Sequence, residues 1–148
     1  MRAVVQRVTR AEVRVDGVAV GAIGGGLAIL LGVGRGDGEA QADRLAARLA
    51  RLRIFPDDAG RFDRSLLDTG GAALVISQFT LYGDTARGNR PSFSGAADPA
   101  QAEPLYERVC ARLRAEGVGC VERGRFGAHM QVELVNDGPV TIVVELGG

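Results

Sequence analysis

At 148 residues, 46% hydrophobic and 24% charged, the chain has the size and composition of one soluble globular domain whose core needs no disulfide or metal. Its 18 basic residues, all arginine, balance 18 acidic ones, and zero net charge argues against a protein that grips a long nucleic-acid backbone. Either nucleic acid is not the partner or only a short piece of it is held, and the lack of lysine excludes a lysine Schiff base and a P-loop lysine.

The opening MRAVVQRVTRAEVRV carries a charge every few residues. It reads as neither a signal peptide nor a membrane span, so the cytoplasm is the expected compartment. AVVQRV and AEVRV alternate apolar and polar residues, as half-buried strands do. Asp16-Gly17 predicts a turn into a further strand, VAVGAI. LAILLGV is a continuous apolar run, which predicts a strand buried on both faces. The period then changes. Leu45, Leu49 and Leu52 recur at helical spacing between arginines, which predicts an amphipathic helix over 39–53. LRIF, DDAGRFDRS and LLDTG predict a short strand, a polar hairpin and a return. AALVISQFTL is the strongest strand signal in the chain.

The segment 83–97, GDTARGNRPSFSGAA, is a Gly-, Ser- and Arg-rich loop that includes Arg87 and Arg90. It leads into a second helix, with Asp98 as N-cap, Pro99 at the first position and Gln101 completing a capping box. Ala102, Leu105, Tyr106, Val109 and Leu113 form its buried stripe, and Gly117 stops it. GCVER, MQVELVN and VTIVVEL read as three more strands, with Asn136-Asp137-Gly138-Pro139 as a tight hairpin turn between the last two. From that stretch alone Gly138-Pro139 is turn punctuation, although a proline is a poor start for a returning strand. The sum is an α+β fold: one domain over 1–148, with a mainly antiparallel sheet or open barrel and two principal helices.

Few residues offer chemistry. The Gly-rich stretches GAIGGGL and GVGRGDGE fit neither a dinucleotide nor a P-loop fingerprint, and turns account for their glycines. His129 is the only histidine, so a hydrolytic triad or dyad must use it. Pairing with Cys120 across neighbouring strands is conceivable, but an ordinary, partly exposed histidine is the plainer reading. Cys110 and Cys120 form no metal or redox motif and read as reduced, packed thiols. One histidine and two separated cysteines make a poor zinc site. Ser77, Gln78 and Thr80 cluster where the most apolar strand ends. They belong either to a strand emerging into solvent or to a pocket wall that offers hydroxyls and backbone N–H groups. No base for activating Thr80 can be read, so backbone dipoles are the better agents of any chemistry there. Phe126 and Met130, in the irregular GRFGAHM, can cradle a flat ring or serve as core.

SQFTLYGD (77–84), RPSFSGAA (90–97) and FGAHMQVELVNDGPVT (126–141), together with the opening MRAVVQRVTRAEVRVDGVAVGAI, resemble the D-aminoacyl-tRNA deacylase family over nearly the whole chain. SQFTL and NDGPVT are its two signature motifs. The resemblance implies a homodimeric cytoplasmic esterase without cofactor or metal. Such an enzyme releases a D-amino acid, or glycine, from the terminal adenosine at the 3′ end of aminoacyl-tRNA. It implies that Ser77, Gln78, Phe79 and Thr80 form the catalytic pocket floor, with oxyanion donors in the N–H groups of Phe79 and Thr80. It implies an adenosine-side wall at Phe126 and Met130. It also implies a cis Gly138-Pro139 that crosses the dimer into the partner's pocket, which replaces the plain-turn reading. Phe62-Asp63 stands where the family usually has Met-Asn, and Gly88-Asn89-Arg90-Pro91 where Gly-Arg-Arg-Pro is common. Two rival functions fit the same motifs: a sibling deacylase correcting a different mischarged tRNA, and a non-catalytic module that binds the tRNA end.

Overall fold

The computed structural model describes residues 1–147. In chain order its elements are β1 (Arg2–Val15), β2 (Val18–Ile23), β3 (Gly26–Gly32), α1 (Glu39–Arg51), β4 (Phe55–Pro56), β5 (Phe62–Arg64), α2 (Leu66–Thr69), β6 (Ala72–Ser77), a 3-10 turn (Phe79–Tyr82), α3 (Pro99–Glu116), β7 (Val121–Arg123) and β8 (Gln131–Glu145). β1 is the spine of the sheet. Its first half runs antiparallel to β3, its last residues antiparallel to β2, and its other edge pairs antiparallel with β8. Asp16 and Gly17 close the β1–β2 hairpin with φ of 50° and 79°, the pair of positive values that a two-residue turn demands. The pairs β3–β6 and β6–β7 are parallel, because α1 carries the chain across between β3 and β6, and α3 between β6 and β7. β2 also touches β6 and β7, so the sheet curls almost into a barrel.

β3 and β6 are apolar on both faces for a visible reason. Leu27, Ile29 and Leu31 of β3, with Ala73 and Val75 of β6, pack against Leu45 and Leu49 of α1 and Val109 and Leu113 of α3. The alternate residues Ala28, Leu74 and Ile76 point into the barrel, against Val8, Val13 and Ile23. α1 and α3 are tied to each other where Arg108 donates to both carboxylate oxygens of Asp43, at 2.8 and 2.9 Å. No helix among the described residues is long and apolar enough to cross a membrane.

Several expectations are corrected. LLDTG is not a returning strand but the helix α2. Ser65 caps it by accepting from the Asp68 N–H, and the Asp68 carboxylate accepts from the Ser65 N–H in return. The strong strand ends at Ser77, and FTLY folds into the 3-10 turn. Asp98 sits at the N-cap of α3 but makes no side-chain cap. Gln101 instead donates to the carbonyls of Arg35 and Asp37, so no capping box forms. Cys110 is buried as expected, whereas Cys120 is exposed.

The largest correction concerns Asn136-Asp137-Gly138-Pro139. No hairpin forms there. MQVELVN and VTIVVEL are halves of one strand, β8, both running antiparallel to β1. The register jumps from Asn136 opposite Val8 to Thr141 opposite Gln6. Residues 137–140 therefore oppose Arg7 alone and bulge out of the sheet. Asn136 closes the bulge: its Oδ1 accepts from the Val140 N–H at 2.7 Å, and its Nδ2 donates to Val140 O at 3.1 Å and Gln6 Oε1 at 3.0 Å. The Gly138–Pro139 peptide bond at the tip is cis.

Candidate active site

A cavity of about 550 Å³ opens where the C-terminal ends of β3 and β6 meet the N-terminus of α3. Leu31, Val33, Ile76 and Ala102 line its apolar base. The chain is stitched together here: Ala97 N–H donates to Val33 O and Arg35 N–H to Gly95 O, which holds the start of α3 against the end of β3. Phe79, Phe93, Phe126 and Met130 supply the walls. A larger depression, about 680 Å³, lies at the end of α1 beside Arg48, Arg51 and Glu116. It is open to solvent and carries no aromatic or hydroxyl group, so the deeper, aromatic-walled cavity is the better candidate.

Ser77, Gln78 and Phe79 reach the cavity because β6 breaks where it does. Gln78 N–H still donates to Leu31 O at 2.8 Å, as if the strand continued, and the next residues wind into the 3-10 turn. Leu81 N–H bonds Gln78 O and Gly83 N–H bonds Thr80 O. The N–H groups of Phe79 and Thr80 open the turn, where no preceding helical carbonyl accepts them. Tyr82 anchors its far end. A Cβ on Gly34 would lie 2.8 Å from the Tyr82 hydroxyl, so part of the GVGRGDGE glycine signal is room for this ring. The Arg2 guanidinium lies over the ring, 4.4 Å from its centre. Burial, above all, pushes the Tyr82 hydroxyl up to about 12.

Phe79 is unusual in this well-packed molecule, being 57% exposed. Its ring meets Phe93 edge-on, with centroids 5.1 Å apart. On the opposite wall Phe126 is half-buried and backed by Tyr106 at 5.9 Å, whose hydroxyl donates to Val75 O. Met130 accepts the Arg125 N–H at its sulfur, 3.4 Å away. Phe126 and Met130 therefore serve as both core and cavity wall. The charged or titratable side chains in the lining are Arg35, Asp98 and His129.

Thr80 stands just outside the lining, exposed, with its hydroxyl accepting a hydrogen bond from the Gln78 amide. Among the described residues, neither a carboxylate nor the imidazole bonds that hydroxyl. The site thus brings together Ser77, Gln78, Phe79, Phe126 and Met130, with Thr80 at its edge. Gly138 and Pro139 do not line the cavity of their own chain; they project from the β8 bulge. Of the two residues that position the tip, Asn136 was read from the sequence only as part of a turn, and Arg7 was not singled out. Arg7 gave no signal, because its partners lie 130 and 47 residues away. Asn136 did give one, since an asparagine beside Gly-Pro is suited to bonding nearby backbone.

Comparison with known proteins identifies the family and the fold. The model of the family described as D-Tyr-tRNA(Tyr) deacylase matches residues 4–145. A D-aminoacyl-tRNA deacylase of Ruegeria pomeroyi is 62% identical, over 99% of this chain and 100% of its own. One from Deinococcus radiodurans is 59% identical, over 99% and 100%. Among solved structures, one named c-Myc DNA unwinding element binding protein superposes with a TM-score of 0.94 at 40% identity, covering all of both chains. A probable eukaryotic D-amino acid tRNA deacylase superposes at 0.85 with 17% identity over 98% of each, a likeness that speaks for the fold alone.

Proposed function

The chain belongs to the D-Tyr-tRNA(Tyr) deacylase family, and on that premise we propose that it hydrolyses the ester of D-aminoacyl-tRNA, releasing the D-amino acid and free tRNA. The observation that carries the reading is the cavity itself. It is a cleft with an apolar base, walls of Phe79, Phe93, Phe126 and Met130, and polar side chains at Ser77 and Gln78. That suits a nucleoside carrying a small ester.

In this reading the terminal adenine lies between Phe126 and Met130, and the ester carbonyl lies at Ser77–Thr80. Water adds to the carbonyl carbon, and the N–H groups of Phe79 and Thr80 receive the oxyanion. The bond to the ribose oxygen then breaks, and that oxygen takes up a proton. The neighbouring ribose hydroxyl polarises the water or the carbonyl, so no triad is needed. Placement rather than a side-chain nucleophile accounts for the rate.

The same proposal makes the enzyme a cytoplasmic homodimer in which each Gly138–Pro139 tip enters the partner's cavity. Its support is that the tip projects from β8 and is missing from its own cavity. In addition, Phe62, Val135 and Val143 leave apolar surface exposed on β5 and along β8. Backbone from the tip then faces the α-carbon of the bound amino acid. A wall of backbone cannot rotate aside as a side chain can, so L side chains are refused while D side chains and glycine are admitted.

The test is deacylation of D-tyrosyl-, L-tyrosyl- and glycyl-tRNA at equal enzyme. Loss of the D-tyrosyl and glycyl esters with the L ester spared is the expected result. Comparable rates on D- and L-tyrosyl-tRNA would overturn the reading, and binding without turnover would favour a tRNA-end binding module.

A further inference from the structure

We infer that the loop 84–92, with Arg87 and Arg90 near its tip, is an arm that grips backbone phosphates of the tRNA's unpaired 3′ end. The inference rests on the deacylase reading above and concerns the part of the substrate outside the cavity.

The arm is rooted in the site. Asp84 and Ser92 exchange both backbone hydrogen bonds, at 2.7 and 2.8 Å, and the Asp84 carboxylate turns back to accept the Ala86 N–H. On one side of this root, Gly83 N–H bonds Thr80 O, joining it to the 3-10 turn. On the other side, Phe93 packs on Phe79 and lines the cavity. An arm anchored this way starts at the cavity rim.

Its charges are unspent. Most arginines of this chain are committed to carboxylates: Arg10 and Arg14 to Glu133, Arg51 and Arg112 to Glu116, Arg108 to Asp43. Among the described residues, Arg87 and Arg90 have no carboxylate within ion-pairing distance, and both are exposed. Arg35, in the cavity lining, and Arg125, next to Phe126, are likewise free of carboxylates. Arginines without a carboxylate partner therefore stand on segments that adjoin the cavity: Arg35 in the lining, with its Nε on the Ser94 carbonyl, Arg125 beside Phe126, and Arg87 and Arg90 on the loop that leads to Phe93. The other unpaired arginines include Arg44 and Arg48 on α1 and Arg61 in the β4–β5 hairpin, and these elements contribute nothing to the lining.

The chemistry of the substrate supplies the occupant. With the terminal adenosine in the cavity, the nucleotides before it leave through the mouth, each with a phosphate. Guanidinium is the side chain best shaped to hold phosphate with paired hydrogen bonds. A few contacts of this kind also fit a chain of zero net charge, which argues against a grip on a long duplex.

The experiment compares Arg87→Gln/Arg90→Gln with wild type on two substrates, D-tyrosyl-tRNA and 2′(3′)-O-D-tyrosyl-adenosine, the second of which has no phosphate. On tRNA, kcat/KM is expected to fall on the order of tenfold near physiological salt. Its log–log salt dependence should become shallower by about 0.7 to 0.9 per arginine removed. On the adenosine ester nothing should change, and Arg61→Gln should leave both substrates unaffected. An equal fall on both substrates would mean that the loop shapes the cavity and would overturn the arm. An unchanged rate and salt slope on tRNA would overturn it too. A wild type inactive on both substrates would instead bring down the deacylase reading, and the arm with it.

Discussion

Arg7 holds the backbone of Asp137: its Nε donates to the Asp137 carbonyl at 2.9 Å while its Nη1 donates to the Ile54 carbonyl at 2.8 Å. One side chain thus connects the root of the Gly138–Pro139 tip to the segment between α1 and β4. Its guanidinium also lies 5.9 Å from the ring centre of Phe62. The position at which the chain departs from the family's usual Met-Asn is therefore beside the tip.

If the tip must be placed accurately in a partner's cavity, Arg7→Leu should cost activity out of proportion to stability. The variant keeps the aliphatic stem but loses both donors. A fall of roughly tenfold to a hundredfold in kcat/KM is expected, the scale of a small misplacement near reacting atoms. Thermal unfolding of the same preparation should show a folded protein. An unchanged rate would show that the tip needs no such support.

Thr80→Ala should keep activity within about a factor of ten of wild type. The Thr80 hydroxyl accepts from Gln78 and has no base bonded to it, so it is poorly placed as a nucleophile. Deleting a true covalent nucleophile costs several powers of ten. Thr80→Ser, which keeps the hydroxyl, serves as the control for local packing. A trapped aminoacyl ester on Thr80 would decide against the backbone mechanism.

Much of the fold was legible because its signals are local. The Asp16-Gly17 hairpin needs positive φ at adjacent residues, and the sequence supplies residues that accept it. The apolar runs of β3 and β6 announce strands covered on both faces. α2 was legible too, in the Ser65-x-x-Asp68 spacing, yet the preceding hairpin pattern made a returning strand look natural. The β8 bulge was not legible. Asn-Asp-Gly encodes a turn in isolation, and only pairing of both halves with the same strand, β1, forbids the hairpin. In the site, the cluster at Ser77–Thr80 could be seen, but not the break into a 3-10 turn that aims it. The turn is flanked by contacts distant in sequence, Tyr82 against Gly34 and under Arg2. No pattern in one chain places Gly138 relative to a cavity it does not line.

Stability should be insensitive to pH near neutrality and fall in acid. Hydrogen bonds from Arg14, then Arg10, hold the Glu133 carboxyl below its ordinary value; Arg108 does the same for Asp43, and Arg51 with Arg112 for Glu116. Backbone hydrogen bonding at Ser65 does so for Asp68. Each depressed value stabilises the fold fully above the unfolded carboxylate pKa of about 4. That contribution is lost as pH falls through the lower, folded value. The melting temperature should therefore be level from about pH 5 to about pH 8 and decline below about pH 4. Asp43→Asn, which removes the carboxylate joining α1 to α3, should lower the plateau and flatten the acid limb. An acid limb of unchanged steepness in that variant would remove Asp43 from the account.

Two inactive variants should restore each other when mixed, if the tip of one subunit completes the cavity of the other. Gly138→Ala damages the tip. Gly138 has φ of +152°, and an added Cβ would stand 2.7 Å from Val140 Cγ2 and 2.8 Å from its backbone nitrogen, so the bulge must rearrange. Phe79→Ala damages the cavity and leaves β8 untouched. In a homodimer of either variant, both sites lack one component. In a hybrid, the intact cavity of the first chain receives the intact tip of the second, while the other site holds two damaged parts. Random pairing of equal amounts into two-fold dimers then gives roughly a quarter of the wild-type activity. The mixture should first be unfolded and refolded together, and exchange confirmed by mass spectrometry of differently tagged chains. A hybrid that forms in the expected proportion yet stays inactive would show that tip and cavity do not meet across subunits. Full activity of Gly138→Ala alone would show that the tip is not part of the site.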